Sequence, residues 1–168
     1  MNTTTRIRLF LGAVFAIVIC MLGATPLLHH MPFPLTDTWP IAVLLYALST
    51  VRLGMSIWAA VLIVFVGLFQ DFICEAPLGA WALAGLCGYG AGLVARGSFR
   101  AMSASIPVEF VSIIIGSIAG LMGLSLAGDI AGGAQVIDLS LVGDLIWTLG
   151  LYYLLSPLFA PYDEALSV

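Results

Sequence analysis

Residues 55–95 carry only two charged side chains, Asp71 and Glu75, and both are acidic. The rest of that stretch is apolar on either side of a short break at Glu75-Ala76-Pro77. Away from water, backbone N–H and C=O groups must pair within the segment, and a helix does this with no help from other parts of the chain. The stretch is therefore predicted to form a helical hairpin with arms at about 55–74 and 77–95. Each arm is close to the ~20 residues that cross the ~30 Å hydrocarbon core of a bilayer. Proline suits the first turn of a helix, where its missing donor would lack a partner anyway. Glu75-Ala76 is then left as a very tight connection.

The rest of the chain follows the same pattern. Of its 168 residues, 62% are hydrophobic and 8% charged, with no lysine, which is not the composition of a soluble domain. A formal charge of −4 is too diluted to build a field for nucleic acid. Further apolar runs at about 9–28, 39–51, 106–127 and 139–159 bring the total to six predicted transmembrane helices. The expected architecture is an all-α compact bundle in a single transmembrane domain, 1–168, in contact with membrane lipid. The first run follows Arg6 and Arg8, as a secretory signal would, but its ~20 residues exceed the ~7–15 of a signal core. A retained helix is expected instead.

The run at 39–51 is short, covering only ~20 Å at 1.5 Å per residue, so it either crosses or re-enters. If it crosses, Arg6, Arg8, Arg52, Arg96 and Arg100 all fall on one side. If it re-enters, Arg52, Arg96 and Arg100 move to the opposite side. The positive-inside rule favours six crossings with both termini cytoplasmic. Gly97 and Ser98 are then inside and Asp37 outside. The short span is accommodated by local thinning or by neighbouring helices.

Chemistry-bearing residues are few. Cys20, Cys74 and Cys87 form no close-spaced pair and read as ordinary buried thiols. His29-His30 are adjacent in a proline-containing loop and read as an exposed pair rather than a metal site. No nucleophile with its base, phosphate loop or metal motif is legible. No catalytic residue, cofactor or metal is expected.

The acids within apolar sequence carry more information. A carboxylate at mid-membrane costs roughly 2.5–3.5 kcal/mol on insertion scales. Asp71 shares a helical face with Gly67, Gln70 lies next to it, and the six-span count puts Asp71 about one turn below the outer surface. Asp144 lies at a similar depth on the last span, and Thr148 and Tyr152 continue its face inward. With no arginine on that side, both carboxylates must be hydrogen-bonded to neutral groups, protonated, exposed to water or paired with a partner. Three readings stay open: a structural role within the hairpin or between spans, a polar cavity or partner contact, and a proton relay. On the structural reading, Asp71→Asn should be tolerated and Asp71→Leu should not. Glu109 is expected to form an interfacial ion pair with Arg96, Arg100 or Arg52.

Lipid gives little hydrophobic reason for helices to associate, so small residues that allow close approach carry the packing signal. One stripe is Ala80, Ala84, Gly88 and Gly92; another is Ser112, Gly116 and Gly120. Both serve either internal packing or a groove for a partner's helix. Since the tight hairpin commits the first stripe to span three, the Ser112-Gly116-Gly120 face is the one expected to dock a partner.

Gly67-Leu68-Phe69-Gln70-Asp71, followed by Pro77-Leu78-Gly79, resembles the G-L-x-Q-D…P-L-G signature of the rod shape-determining MreD family. The likeness extends over essentially the whole chain, including Trp39-Pro40 opening the short second span and Arg52 closing it. It implies a non-catalytic subunit of the rod complex (elongasome) in the bacterial inner membrane, supporting peptidoglycan synthesis and rod cell shape. The implied direct partner is a bitopic MreC-like protein. Through it come MreB and RodA with its penicillin-binding protein, in a higher-order assembly. The resemblance also implies a six-helix architecture similar to the S components of energy-coupling-factor transporters. This supplies an alternative, a small-molecule or lipid-binding subunit in which Gln70, Asp71 and Asp144 line a cavity.

Overall fold

The computed structural model describes residues 3–23, 41–101, 108–131 and 139–159. They form six α-helices and, among the described residues, no strand. The helices are α1 (Thr3–Gly23), α2 (Ala42–Val51), α3 (Ile57–Ile73), α4 (Ala80–Ala101), α5 (Val108–Ile130) and α6 (Leu139–Phe159). The calls on His29, His30, Asp37 and Trp39-Pro40 lie outside the described residues. The second arm of the hairpin begins at Ala80 rather than Pro77 and continues past Ala95 to Ala101.

The fold is built around α2. It touches all five other helices, and every residue from Ala42 to Val51 is buried. At 1.5 Å per residue it is only ~15 Å long. Its shortness is absorbed by the helices that enclose it. Leu44, Leu48 and Val51 lie along one face of α2 and fill the groove between α4 and α5. That groove exists because its walls are glycine. A Cβ on Gly120 would stand 2.5 Å from Leu44 Cδ2, one on Gly116 2.7 Å from Leu48 Cδ2, and one on Gly92 2.9 Å from Val51 Cγ2. α4 and α5 also meet backbone to backbone: a Cβ on Gly116 would lie 2.8 Å from the Gly88 carbonyl oxygen, and one on Gly88 3.0 Å from that of Gly116.

The exterior of the bundle is apolar, as its core is, and the few enclosed polar side chains lie between helices. α5 buries Ser112, Gly116, Ser117, Gly120 and Gly123 and exposes Ile114, Ile115, Ile118, Met122 and Leu126. α1 buries Leu9, Ala13, Ala16 and Cys20 while exposing Phe10, Leu11, Val14, Phe15 and Val18. α3 keeps Gln70 and Asp71 inside and turns Trp58, Val61, Phe65 and Phe72 outward. Among the described residues, two helices are long and apolar enough to cross a membrane: α1, over Thr5–Leu22 with mean hydropathy 2.0, and α5, with 2.1. α2 and α3 are shorter apolar helices.

Charge is divided between the two ends. Arg52, capping α2, pairs with Glu109 at the start of α5 through both its Nε and its Nη2. Arg96 Nη1 donates to the Val51 carbonyl at 2.8 Å. Arg6 lies 5.8 Å over the Trp58 ring at the start of α3. Arg8 sits near the start of α1 and Arg100 in the last turn of α4, so all five arginines belong to one end of the bundle. Of the three partners expected for Glu109, the structure selects Arg52. The opposite end holds the close of α3 and the starts of α2 and α4.

Candidate functional site

The Gln70-Asp71 pair sits where α3 ends and two other helices begin. α3 closes with Glu75 in the left-handed region (φ 52°) and with the Ala76 N–H donating to the Asp71 carbonyl at 3.0 Å. This is the six-to-one bond of a Schellman ending, with glutamate where glycine is usual. The chain then turns through Pro77-Leu78-Gly79-Ala80, closed by the Ala80 N–H on the Pro77 carbonyl at 3.0 Å. Gly79 has φ 93°, the positive value that the third position of a type II turn demands. Pro77 therefore belongs to the turn preceding α4 and not to its first helical turn. The first bond of α4 runs from the Leu83 N–H to the Gly79 carbonyl at 2.8 Å, which makes Gly79 the N-cap position.

Glycine has no side chain with which to cap. Asp71 supplies the missing acceptor: Oδ2 receives the Gly79 N–H at 2.7 Å and Oδ1 the Trp81 N–H at 2.8 Å. The carboxylate is 1% exposed, and its stabilisation comes from two charge-assisted bonds and the positive end of the α4 dipole. Close approach of the helices brings it within range. A Cβ on Gly67, one turn earlier, would fall 2.5 Å from the Ala82 nitrogen and 2.9 Å from the Trp81 carbonyl carbon.

Gln70 does the same for α2. The N-cap of that helix, Ile41, makes no side-chain cap bond. Gln70 Oε1 instead receives the Val43 N–H at 3.0 Å, and Thr148 Oγ1 on α6 receives the Ile41 N–H at 2.8 Å. The Thr148 hydroxyl is completed by donation to the Asp144 carbonyl at 2.6 Å. Two buried helix starts, each with donors that its own sequence cannot satisfy, are thus capped from neighbouring helices.

These contacts revise the expected polar cavity. Thr148 is fully buried as a cap, and Tyr152, one turn on, lines a notch on the arginine side with Leu48, Arg52, Arg96 and Glu109. Asp144 is half-buried and engaged in interactions of its own. Asp144, Thr148 and Tyr152 therefore do not converge on one cavity, and the oxygens of Gln70 and Asp71 are engaged with backbone. The docking face is corrected as well. Ser112, Gly116 and Gly120 are buried against α4 and α2, so that stripe is already filled by this chain. Cys74, read as buried, is exposed at the end of α3.

Tyr89 was not singled out by spacing or composition. Its hydroxyl receives the Ser56 N–H at 3.0 Å and donates to the Gly54 carbonyl at 2.9 Å, fastening the α2–α3 turn to α4. A tyrosine in an apolar helix gives no local sign of such a bond, because its partners lie 33 and 35 residues away.

Comparison of the chain with protein-family models, with curated proteins and with solved structures gives no match.

Proposed function

We propose that the chain is a non-catalytic, multi-pass subunit of the bacterial inner membrane, with both termini cytoplasmic, acting in the rod complex as MreD-like proteins do. The observation that carries the membrane part is the apolar exterior: large apolar side chains cover α1, α3 and α5, while Gln70, Asp71, Ser112 and Thr148 are enclosed. In water such a surface would be an extended association-prone patch; in lipid it is the ordinary exterior. The five arginines at one end support an orientation with that end cytoplasmic. The alternation of the six helices between the arginine end and the Gln70-Asp71 end supports a reading with six crossings.

The family part rests on the residues of the signature-like stretch, each of which has a definite mechanical task. Gly67 permits helix contact, Gln70 and Asp71 cap, and Pro77 and Gly79 make the turn. A motif devoted to holding helices together suits a scaffold that engages an MreC-like bitopic partner and supports peptidoglycan synthesis. Gentle affinity purification of the full chain from its native membrane tests this reading. A single-span protein recovered in stoichiometric yield is the expected result. Recovery of the chain with a bound small molecule and no membrane protein would instead favour a transporter-like binding subunit.

A further inference from the structure

The Gln70-Asp71 end of the bundle brings together two thiols that lie far apart in the sequence. α1 and α3 both leave the arginine end, where Arg6 lies over Trp58, and they pack against each other. The rise from Arg6 to Cys20 is ~21 Å and that from Trp58 to Cys74 ~24 Å, so the two cysteines reach nearly the same level. Cys20 stands in the last turn of α1, on the buried face it shares with Ala13 and Ala16. Cys74 is the C-cap of α3, one turn beyond Gln70, and is exposed. Both are free thiols, near enough for a charge on one to be felt by the other. Axes of packed helices lie about 8–10 Å apart, which brings facing Cα atoms close to the roughly 4.4–6.8 Å that a disulfide spans. Both residues also sit at helix ends, where the backbone gives most easily. Cys87, on α4, faces Gly123 of α5 and takes no part. Among the described residues no three metal-ligating side chains form a group, so the chemistry open to the pair is that of two thiols.

We infer that Cys20 and Cys74 join in a disulfide that ties the end of α1 to the end of α3. The inference rests on the membrane reading above, which sets this end outside the cytoplasm, where disulfides form and persist. The co-reactant is a disulfide-bearing oxidant of the cell envelope, small or protein. Exposed Cys74 meets it first. Its thiolate attacks one sulfur of that disulfide, whose S–S bond breaks as a mixed disulfide forms and the first thiolate leaves. Cys20 then loses its proton and attacks Cys74 Sγ, expelling the second thiolate. Two protein thiols are thereby oxidised by two electrons, and the oxidant leaves as two thiols carrying the two protons. The consequence is mechanical. Near the arginine end α1 is fastened by Arg6 on Trp58 and by the Tyr46 hydroxyl, which donates to the Leu9 carbonyl at 3.0 Å. The bridge fastens its other end.

The test reads the thiols of the full chain in its own cells. Cells are quenched in acid, which stops exchange, and then denatured with a polyethylene-glycol maleimide, with or without prior reduction. The chain has three cysteines. The unreduced wild type should take up one polymer, on Cys87, and the reduced wild type one on each cysteine. Cys20→Ser and Cys74→Ser should each take up two in either state. Full labelling of the unreduced wild type, both from cells and after the purified chain is equilibrated with oxidised glutathione, would overturn the pair and leave the membrane reading untouched. Full labelling from cells but a single polymer after that treatment would show that the thiols meet in a reducing compartment. That result overturns the bridge in the cell, and with it the outward placement of this end. A disulfide-linked dimer that survives in Cys20→Ser and is lost in Cys74→Ser would assign Cys74 to a second copy and overturn the internal bridge.

Discussion

Asp71→Leu is expected to deplete the protein from the membrane, and Asp71→Asn to deplete it partly rather than be tolerated. Leucine leaves the buried Trp81 N–H and the part-buried Gly79 N–H without their acceptors. Losing a cap costs about 0.5–2 kcal/mol, and each abandoned buried donor about 1–3 kcal/mol. Both figures describe the same two bonds, so the loss from the two donors is on the order of 2–6 kcal/mol, a large part of a typical domain's stability. Asparagine has one acceptor oxygen for two donors. Whichever way the amide is turned, its NH₂ faces a backbone N–H, a loss of about 1–3 kcal/mol. Membrane immunoblots and melting in detergent should rank wild type above Asp71→Asn, and that above Asp71→Leu. Asparagine at wild-type abundance and melting temperature would show that the two-oxygen cap is not needed. The ranking departs from the sequence-based expectation that a neutral hydrogen-bonding group suffices. That expectation counted hydrogen bonds without counting acceptor oxygens.

Gly116→Leu should be comparably damaging, and through abundance rather than through partner loss. The Cβ alone would press on the Gly88 carbonyl at 2.8 Å and on Leu48, and a backbone neighbour cannot swing aside as a side-chain tip can. Overpacking a core typically costs about 1–3 kcal/mol, and separating two helices forfeits their neighbouring contacts too. Ile118, 52% exposed on the outward face of the same helix, is the control, and Ile118→Ala should leave abundance close to normal. Normal abundance of Gly116→Leu together with selective loss of a bound partner would restore the docking role first assigned to this stripe.

The helical hairpin was legible because its apolar arms and its Pro-Leu-Gly break are local features. So was the shared face of Gly67 and Asp71, which four-residue spacing dictates. The first turn of α4 was misplaced because proline fits both a helix start and the opening of a turn. Gly79 decides between them, since its positive φ puts the turn first. The role of Gln70 was not legible, because its partner, Val43, lies 27 residues away on a helix with no capping signal of its own. The two small-residue stripes were found, but not that they face each other. Spacing reports which residues share a face, and says nothing about which face meets it. The arginine bias used to orient the chain has a counterpart in the contacts of Arg6, Arg52 and Arg96, which bring five helix ends together.

The central claim is that this is a membrane-spanning bundle with its arginine end in the cytoplasm and its Gln70-Asp71 end outside. Leu78, 86% exposed in the turn before α4, and Ser98, exposed in the closing turns of the same helix, mark the two ends. Leu78→Cys and Ser98→Cys, each in a background lacking Cys20, Cys74 and Cys87, can be probed in intact spheroplasts with a membrane-impermeant maleimide. Labelling of Leu78→Cys from outside, with Ser98→Cys labelled only after the membrane is opened, is the expected result. Labelling of both positions from outside, or the reverse order, would contradict the account.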